Sequence, residues 1–181
     1  MKKTVVFLAD GFEECEGLIV VDLLRRAGIE VIMASIMGRL AVVSSRGIKI
    51  VADALAEQVD FSLADMVVLP GGRIGTEQLR KNETVRECCR LFAKEKSVGA
   101  ICAAPSILAE LGLLEGKTAV CHPDYADKMD GAVAADAGVA IDGNIITAKG
   151  LGTAFPFAFA LIRFLSSEKE ADRISKAICY E

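Results

Sequence analysis

One histidine, no Cys-x-x-Cys pair and no run of Lys or Arg longer than two residues define what this 181-residue sequence leaves out. Each absence removes a class of function. A single imidazole with scattered cysteines does not read as a structural zinc site, and six unpaired-looking cysteines in a chain of this size do not read as a disulfide framework. With 21 basic against 25 acidic side chains, the net charge is −4 and nothing is arranged to track a phosphate backbone. The usual nucleotide loops are missing as well. PGGRIG (70–75) has neither the Gly-Lys-Ser/Thr ending of a P-loop nor G-x-G-x-x-G spacing. ADGFEECEG (9–17) presents Asp10, Glu13, Glu14 and Glu16 where a phosphate needs backbone donors. No cofactor and no metal is therefore expected. The opening MKKTVVFLAD carries charge first, but Asp10 ends its apolar run too soon for a secretory h-region or a membrane span. The expectation is a cytoplasmic protein with reduced thiols, no membrane contact and no dedicated nucleic-acid surface.

What is present is apolar: 52% of residues, against 25% charged, enough for a sizeable core and a single domain over 1–181. TVVFLA (4–9) reads as a strand and LIVVDLLRRAG as a helix stopping at Gly28. IEVIMAS (29–35) is a second strand, and 40–53 two short strands about a glycine-containing turn. ADMVVLPGG (64–72) is a buried strand ending in a Gly-rich loop, and 76–96 carries Leu79, Val85, Cys89 and Phe92 near helical spacing. A strand over 97–101, a helix at PSILAELG and a further strand over 117–121 continue the alternation. A hairpin over 133–150 about Asp142-Gly143 and helices near 153–166 and 168–179 complete it. Continuous apolar strands alternating with helices predict an α/β fold with a mostly parallel sheet covered on both faces. Ligands collect at the carboxyl ends of such strands, where ADGFEECEG, PGGRIG, CAAP and HPD all fall.

Cys102 follows a strand, precedes a helix and is flanked by Ala100, Ala103 and Ala104, as a sharp nucleophile corner needs. Free cysteine is more often an inert buried side chain. Here the following helix N-terminus is expected to favour a thiolate, ionised below pH 7. Glu13 and Glu14 suit the first turn of a helix. Glu16 is instead expected to face the crevice with a raised pKa, able to donate a hydrogen bond to sulfur. His122 is the one imidazole available to pair with Cys102, its carboxylate partner being Asp124, Asp22 or Glu16. The N–H groups of Gly72 and Ala103 are placed for an oxyanion hole, although Gly71 and Gly72 also suit a plain turn. Arg46, in a hairpin turn, is a possible anion contact for substrate, although such arginines are usually just solvated.

Together ADGFEECEG, VDLLRRAGI, VVLPGGRIG, AICAAP, CHP and KGLGTAF, in order along nearly the whole chain, resemble the ThiJ/PfpI superfamily, in the branch of the parkinsonism-associated deglycase and bacterial YajL. The resemblance implies a flavodoxin-like three-layer sandwich, usually a homodimer. It makes Cys102 the nucleophile, Glu16 its carboxyl partner, His122 the nearby imidazole, and Gly72 with Ala103 the oxyanion donors. Two departures stand out: Ala104 replaces a glycine of the human relative, as in bacterial relatives, and Leu151 replaces a commoner proline. The implied activity is a cofactor-independent glyoxalase or deglycase acting on methylglyoxal or on glycated protein and nucleotide adducts. The alternatives are an oxidative-stress sensor or redox-dependent chaperone working through Cys102, and a cysteine peptidase. The last is disfavoured because His122-Pro123-Asp124 lacks the His-x-Glu of amidotransferase-like triads.

Overall fold

In the computed structural model, which describes residues 1–180, the strands are β1 (Lys3–Leu8), β2 (Glu30–Ser35), β3 (Ala41–Val43), β4 (Lys49–Val51), β5 (Ala54–Leu55), β6 (Met66–Leu69), β7 (Ser97–Ile101), β8 (Thr118–Ala119), β9 (Val133–Ala134), β10 (Val139–Asp142) and β11 (Ile145–Ala148). The helices are α1 (Glu14–Arg26), α2 (Arg73–Lys81), α3 (Glu83–Glu95), α4 (Pro105–Glu110), α5 (Ala154–Leu165) and α6 (Glu168–Ala177). Successive side chains of a strand point to opposite faces, and β1 uses both. Val6 and Leu8 enter one core, Val5 and Phe7 the other, and all four are fully buried. β6 repeats this, with Met66 and Val68 on the first face and Val67 and Leu69 on the second. Strands apolar on both faces must be covered twice. α1, α5 and α6 cover the first face through Val20, Leu24, Phe157, Leu161 and Ile174; α2, α3 and α4 cover the second through Leu79, Val85, Phe92 and Ile107. Each such large side chain contributes about 1.5–3 kcal/mol on burial.

The central sheet runs β10-β11-β7-β6-β1-β2-β5, parallel throughout except for β10 against β11. This is the mostly parallel, doubly covered sheet that the alternation predicts and the flavodoxin-type α/β sandwich that the resemblance implies. The order brings the carboxyl ends of β1, β6, β7 and β11 side by side. β3 and β4 form the expected small hairpin. Among the described residues no helix is long and apolar enough to cross a membrane.

Three local expectations are corrected. The 76–96 segment is two helices, broken at Asn82, whose side chain accepts the Val85 N–H at 3.1 Å and so starts α3 afresh. The 117–121 run is not a strand of the central sheet. β8 pairs only with β9, in a separate parallel ribbon, because antiparallel β10 occupies the edge beside β11. The hairpin is accordingly confined to β10 and β11, and residues 133–134 turn away to join β8.

Candidate active site

The end of β7 is the most strained point near the crevice. Cys102 has φ 66, a left-handed backbone that a side chain with Cβ occupies at a cost of about 1–3 kcal/mol. Its neighbours hold it there: its N–H donates to the Ala148 carbonyl at 2.9 Å and its own carbonyl accepts from the His122 N–H at 2.8 Å. The corner therefore links β7, β11 and the segment after β8.

Glu16 reaches the same place from the first turn of α1. Glu13 caps that turn, its carboxylate accepting the Glu16 N–H at 2.7 Å, while the Glu16 side chain is 1% exposed. Glu16 Oε2 accepts the Gly71 N–H at 3.0 Å, and its carboxyl hydrogen-bonds the Cys102 thiol and the Leu151 N–H. Gly71 is what lets acid and thiol meet. A Cβ there would lie 2.4 Å from Glu16 Oε2 and 2.5 Å from Cys102 Cβ. Gly72, at φ 89, passes equally close to the first loop, and a Cβ on it would fall 2.4 Å from the Gly11 carbonyl oxygen. Close approach, more than turn chemistry, requires both glycines.

Burial pushes the Glu16 carboxyl up to about 7, helped by the charge of Glu13 and opposed by the Cys102, Gly71 and Leu151 hydrogen bonds. Burial also pushes the Cys102 thiol up to about 12, with the Glu16 charge and hydrogen bond adding to it, against the N–H groups of Gly72 and Ala103 aimed at the sulfur. This corrects the expectation of a thiol freely ionised below pH 7. α4 spans six residues only, and its terminus does not outweigh desolvation beside a carboxylate. The two groups titrate as a unit: the pair gives up its first proton near neutrality and keeps its second to alkaline pH. Backbone donors serve both places where the negative charge can then rest, Gly71 and Leu151 at the carboxylate, Gly72 and Ala103 at the sulfur.

His122 stands at the rim, its side chain 42% exposed. Nδ1 accepts the Asp124 N–H at 3.3 Å, and the Asp124 carboxylate lies 3.7 Å away and 82% exposed, so the imidazole caps its own turn. A side chain placed on Gly150 would sit 3.5 Å from His122 Cδ2, 3.7 Å from Glu16 Oε1 and 3.9 Å from Cys102 Sγ, so the three flank one position. Asp22 is elsewhere, exposed on α1 and ion-paired to Arg26 at 2.7 Å. Arg46 is exposed in the β3–β4 turn, where its backbone N–H serves Glu14; its guanidinium enters no ion pair among the described residues. Asp10 and Glu14 are structural, tying the first loop to that hairpin through Arg39, Val43 and Ser45. Gly71 and Leu151 are contributors that sequence reasoning passed over, although both lie within motifs it quoted. Among the described residues no group of three or more His, Cys, Asp or Glu is placed to hold a metal ion.

A strained thiol, a buried carboxyl and loops from four parallel strands form a constellation that can be compared with known proteins. The DJ-1/PfpI family profile matches residues 2–164. The chain is 37% identical to Protein DJ-1 homolog B of Arabidopsis thaliana over 96% of its length, and spans 40% of that longer protein. It is 31% identical to the glutathione-independent glyoxalase DJR-1.2 of Caenorhabditis elegans, covering 92% of this chain and 90% of that one. The solved structure of oxidized Toxoplasma gondii DJ-1 superposes with a TM-score of 0.95 at 32% identity, over 99% of this chain and 98% of that one. Fold, loop order and sequence thus converge, and the chain belongs to the DJ-1/PfpI family.

Proposed function

We propose that this protein is a cofactor-independent glyoxalase that converts methylglyoxal to lactate, with Cys102 as nucleophile and Glu16 as its acid and base. The observation that carries this reading is the buried Glu16 carboxyl meeting the Cys102 thiol beside Gly71, where one added Cβ would lie 2.4 Å from Glu16 Oε2 and 3.0 Å from Cys102 Sγ, in a site that also turns the Gly72 and Ala103 N–H groups toward sulfur. With the shared proton on Glu16, the thiolate attacks the aldehyde carbon, forming a C–S bond, and the Gly72 and Ala103 N–H groups meet the resulting oxyanion. Glu16 gives its proton to that oxyanion, and the resulting carboxylate then carries the proton of the former aldehyde carbon to the ketone carbon, the hydroxyl proton passing to the ketone oxygen. The first carbon is oxidised to a thioester and the second reduced to an alcohol, with no outside oxidant. Water cleaves the thioester, releasing lactate and the free thiol. A glycated hemiaminal enters when the thiolate displaces the amine, which leaves with the Glu16 proton, giving the same hemithioacetal; this is the deglycase form of the reading. The glyoxalase relative supports it at the level of the family.

Purified protein incubated with methylglyoxal and followed for lactate by NMR tests the reading. Wild type should make lactate and Cys102→Ala none. Glu16→Gln should be slowed by roughly 10² to 10⁴, the range for a lost general acid and base. Lactate at the wild-type rate from Cys102→Ala would overturn the assignment.

A second reading, an oxidation sensor, is supported by the same pair. Two equivalents of peroxide oxidise the thiol to a sulfinate, releasing two waters, and a protonated Glu16 is placed to hold the product by a hydrogen bond. Loss of sulfinate stability in Glu16→Gln with unchanged turnover favours this reading over the first. A cytoplasmic homodimer belongs to either reading. Exposed Ile48 and Val51, beside an apolar groove of Leu18, Ile19, Ile48 and Phe155, offer a face for a second copy, and light scattering gives the mass.

A further inference from the structure

Behind the Cys102 corner, on the face away from Glu16, lies a charged chain that the proposed reaction does not use. Arg80 of α2 is mostly buried, its side chain 16% exposed. Its Nη2 donates to Ser106 Oγ at 2.7 Å, and Ser106, itself 1% exposed, donates to the Ala103 carbonyl at 2.6 Å. Ala103 is the residue whose N–H is aimed at the Cys102 sulfur. The guanidinium cannot swing away, because Nε is held by Glu77 at 3.3 Å and Nη1 by Glu110, whose other oxygen is bonded to Arg86 at 2.8 Å.

We propose that Arg80 and Ser106 are positioning residues for the nucleophile corner: together they fix the Ala103 carbonyl, and through it the direction of the Ala103 N–H and the left-handed backbone of Cys102. A serine in a first helical turn can bond the carbonyl three residues back unaided, but its hydroxyl is free to rotate away. A guanidinium donating to the same oxygen leaves the hydroxyl hydrogen one direction to point, and a charged donor at the head of a hydrogen-bonded chain strengthens the link beyond it. α2 is thereby braced against the turn into α4, so the Gly72 donor that opens α2 and the Ala103 donor before α4 keep a fixed separation.

The inference rests on Cys102 being the reacting group, and its test separates the two claims. Alkylation of Cys102 by iodoacetamide at pH 7, read by peptide mass, needs no substrate; kcat and KM for methylglyoxal are measured alongside. Arg80→Ala and Ser106→Ala should each alkylate about tenfold more slowly, with kcat lower by about tenfold and KM within about twofold. Arg80→Lys, which keeps a charged donor, should recover most of both. Arg90→Ala removes an exposed partner of Glu83 and touches none of Arg80, Glu110, Ser106 and Ala103, so it should leave both alkylation and kcat at the wild-type level. Wild-type alkylation and kcat in folded Ser106→Ala would overturn the inference and leave the activity standing; Ser106→Ala decides even where Arg80→Ala does not fold. Slowed alkylation in protein that makes no lactate would leave the positioning standing and remove the activity.

Discussion

The two ends of the central sheet are built on opposite terms. At the amino ends of the strands, polar groups are closed off by partners, apart from the buried Thr4 hydroxyl of β1. Lys96 Nζ donates to the carbonyls of Phe61, Ser62 and Ala64, and Asn144 Nδ2 to those of Phe92, Ala93 and Lys96. Asp65 accepts from Lys2 and from the Lys3 N–H, both at 2.8 Å. At the carboxyl ends the chain instead carries a left-handed cysteine, an acid buried against a thiol and glycines that admit no side chain. One end gathers satisfied hydrogen bonds and the other gathers strain and desolvated charge. The difference teaches that the candidate site is tolerated by the rest of the molecule, not stabilised by its own contacts.

The largest expected effect that sharpens this contrast is on stability against pH. Glu16 ionises near 4.5 when unfolded and at about 7 when folded, so the unfolded chain loses this proton first as pH rises. Its contribution is therefore most favourable below pH 4.5 and is lost as pH climbs through 7. Between pH 4.5 and 8 wild type should lose on the order of 3 kcal/mol relative to Glu16→Gln, measured by urea unfolding at each pH. Parallel curves for the two proteins would break the comparison. A smaller effect belongs to the other end: Asn144→Ala should cost about 2 kcal/mol by stranding the carbonyls it serves, with lactate formation unchanged. A parallel loss of turnover would mean that the ends are coupled. The smallest is Cys102→Gly, which should gain about 1 kcal/mol or less in thermal unfolding by relieving the backbone, while abolishing turnover.

Most of the frame is legible in the sequence because strands buried on both faces leave unbroken apolar runs, as in VVFL and MVVL. The run at 117–121 misleads for the same reason: hydrophobicity records burial and not which strand lies alongside, and β10 already holds that edge. The Asn82 break is written in the side chain that caps α3, and a helical spacing count passes over it. In the site, Cys102, Glu16 and Gly72 stand out because their loops follow strands that end together. The donors at Gly71 and Leu151 do not: having leucine in place of a proline gives position 151 an N–H, but nothing in residue type says that either N–H turns toward Glu16. Choosing among Asp22, Asp124 and Glu16 needed three dimensions, as did the thiol's resistance to ionisation, which comes from burial beside an acid and not from the helix that follows.

The backbone of Cys102 also speaks to descent. Glycine, asparagine and aspartate are the residues that enter left-handed geometry most cheaply, and cysteine is not among them. One nucleotide separates the cysteine codons from glycine codons, so drift without selection would carry this position toward glycine and a slightly more stable protein. Persistence of cysteine at this corner among descendants of a common ancestor would therefore register selection for the sulfur against the preference of the fold. A lineage that has given up the chemistry should show glycine there first, while the amino end of its sheet remains unchanged.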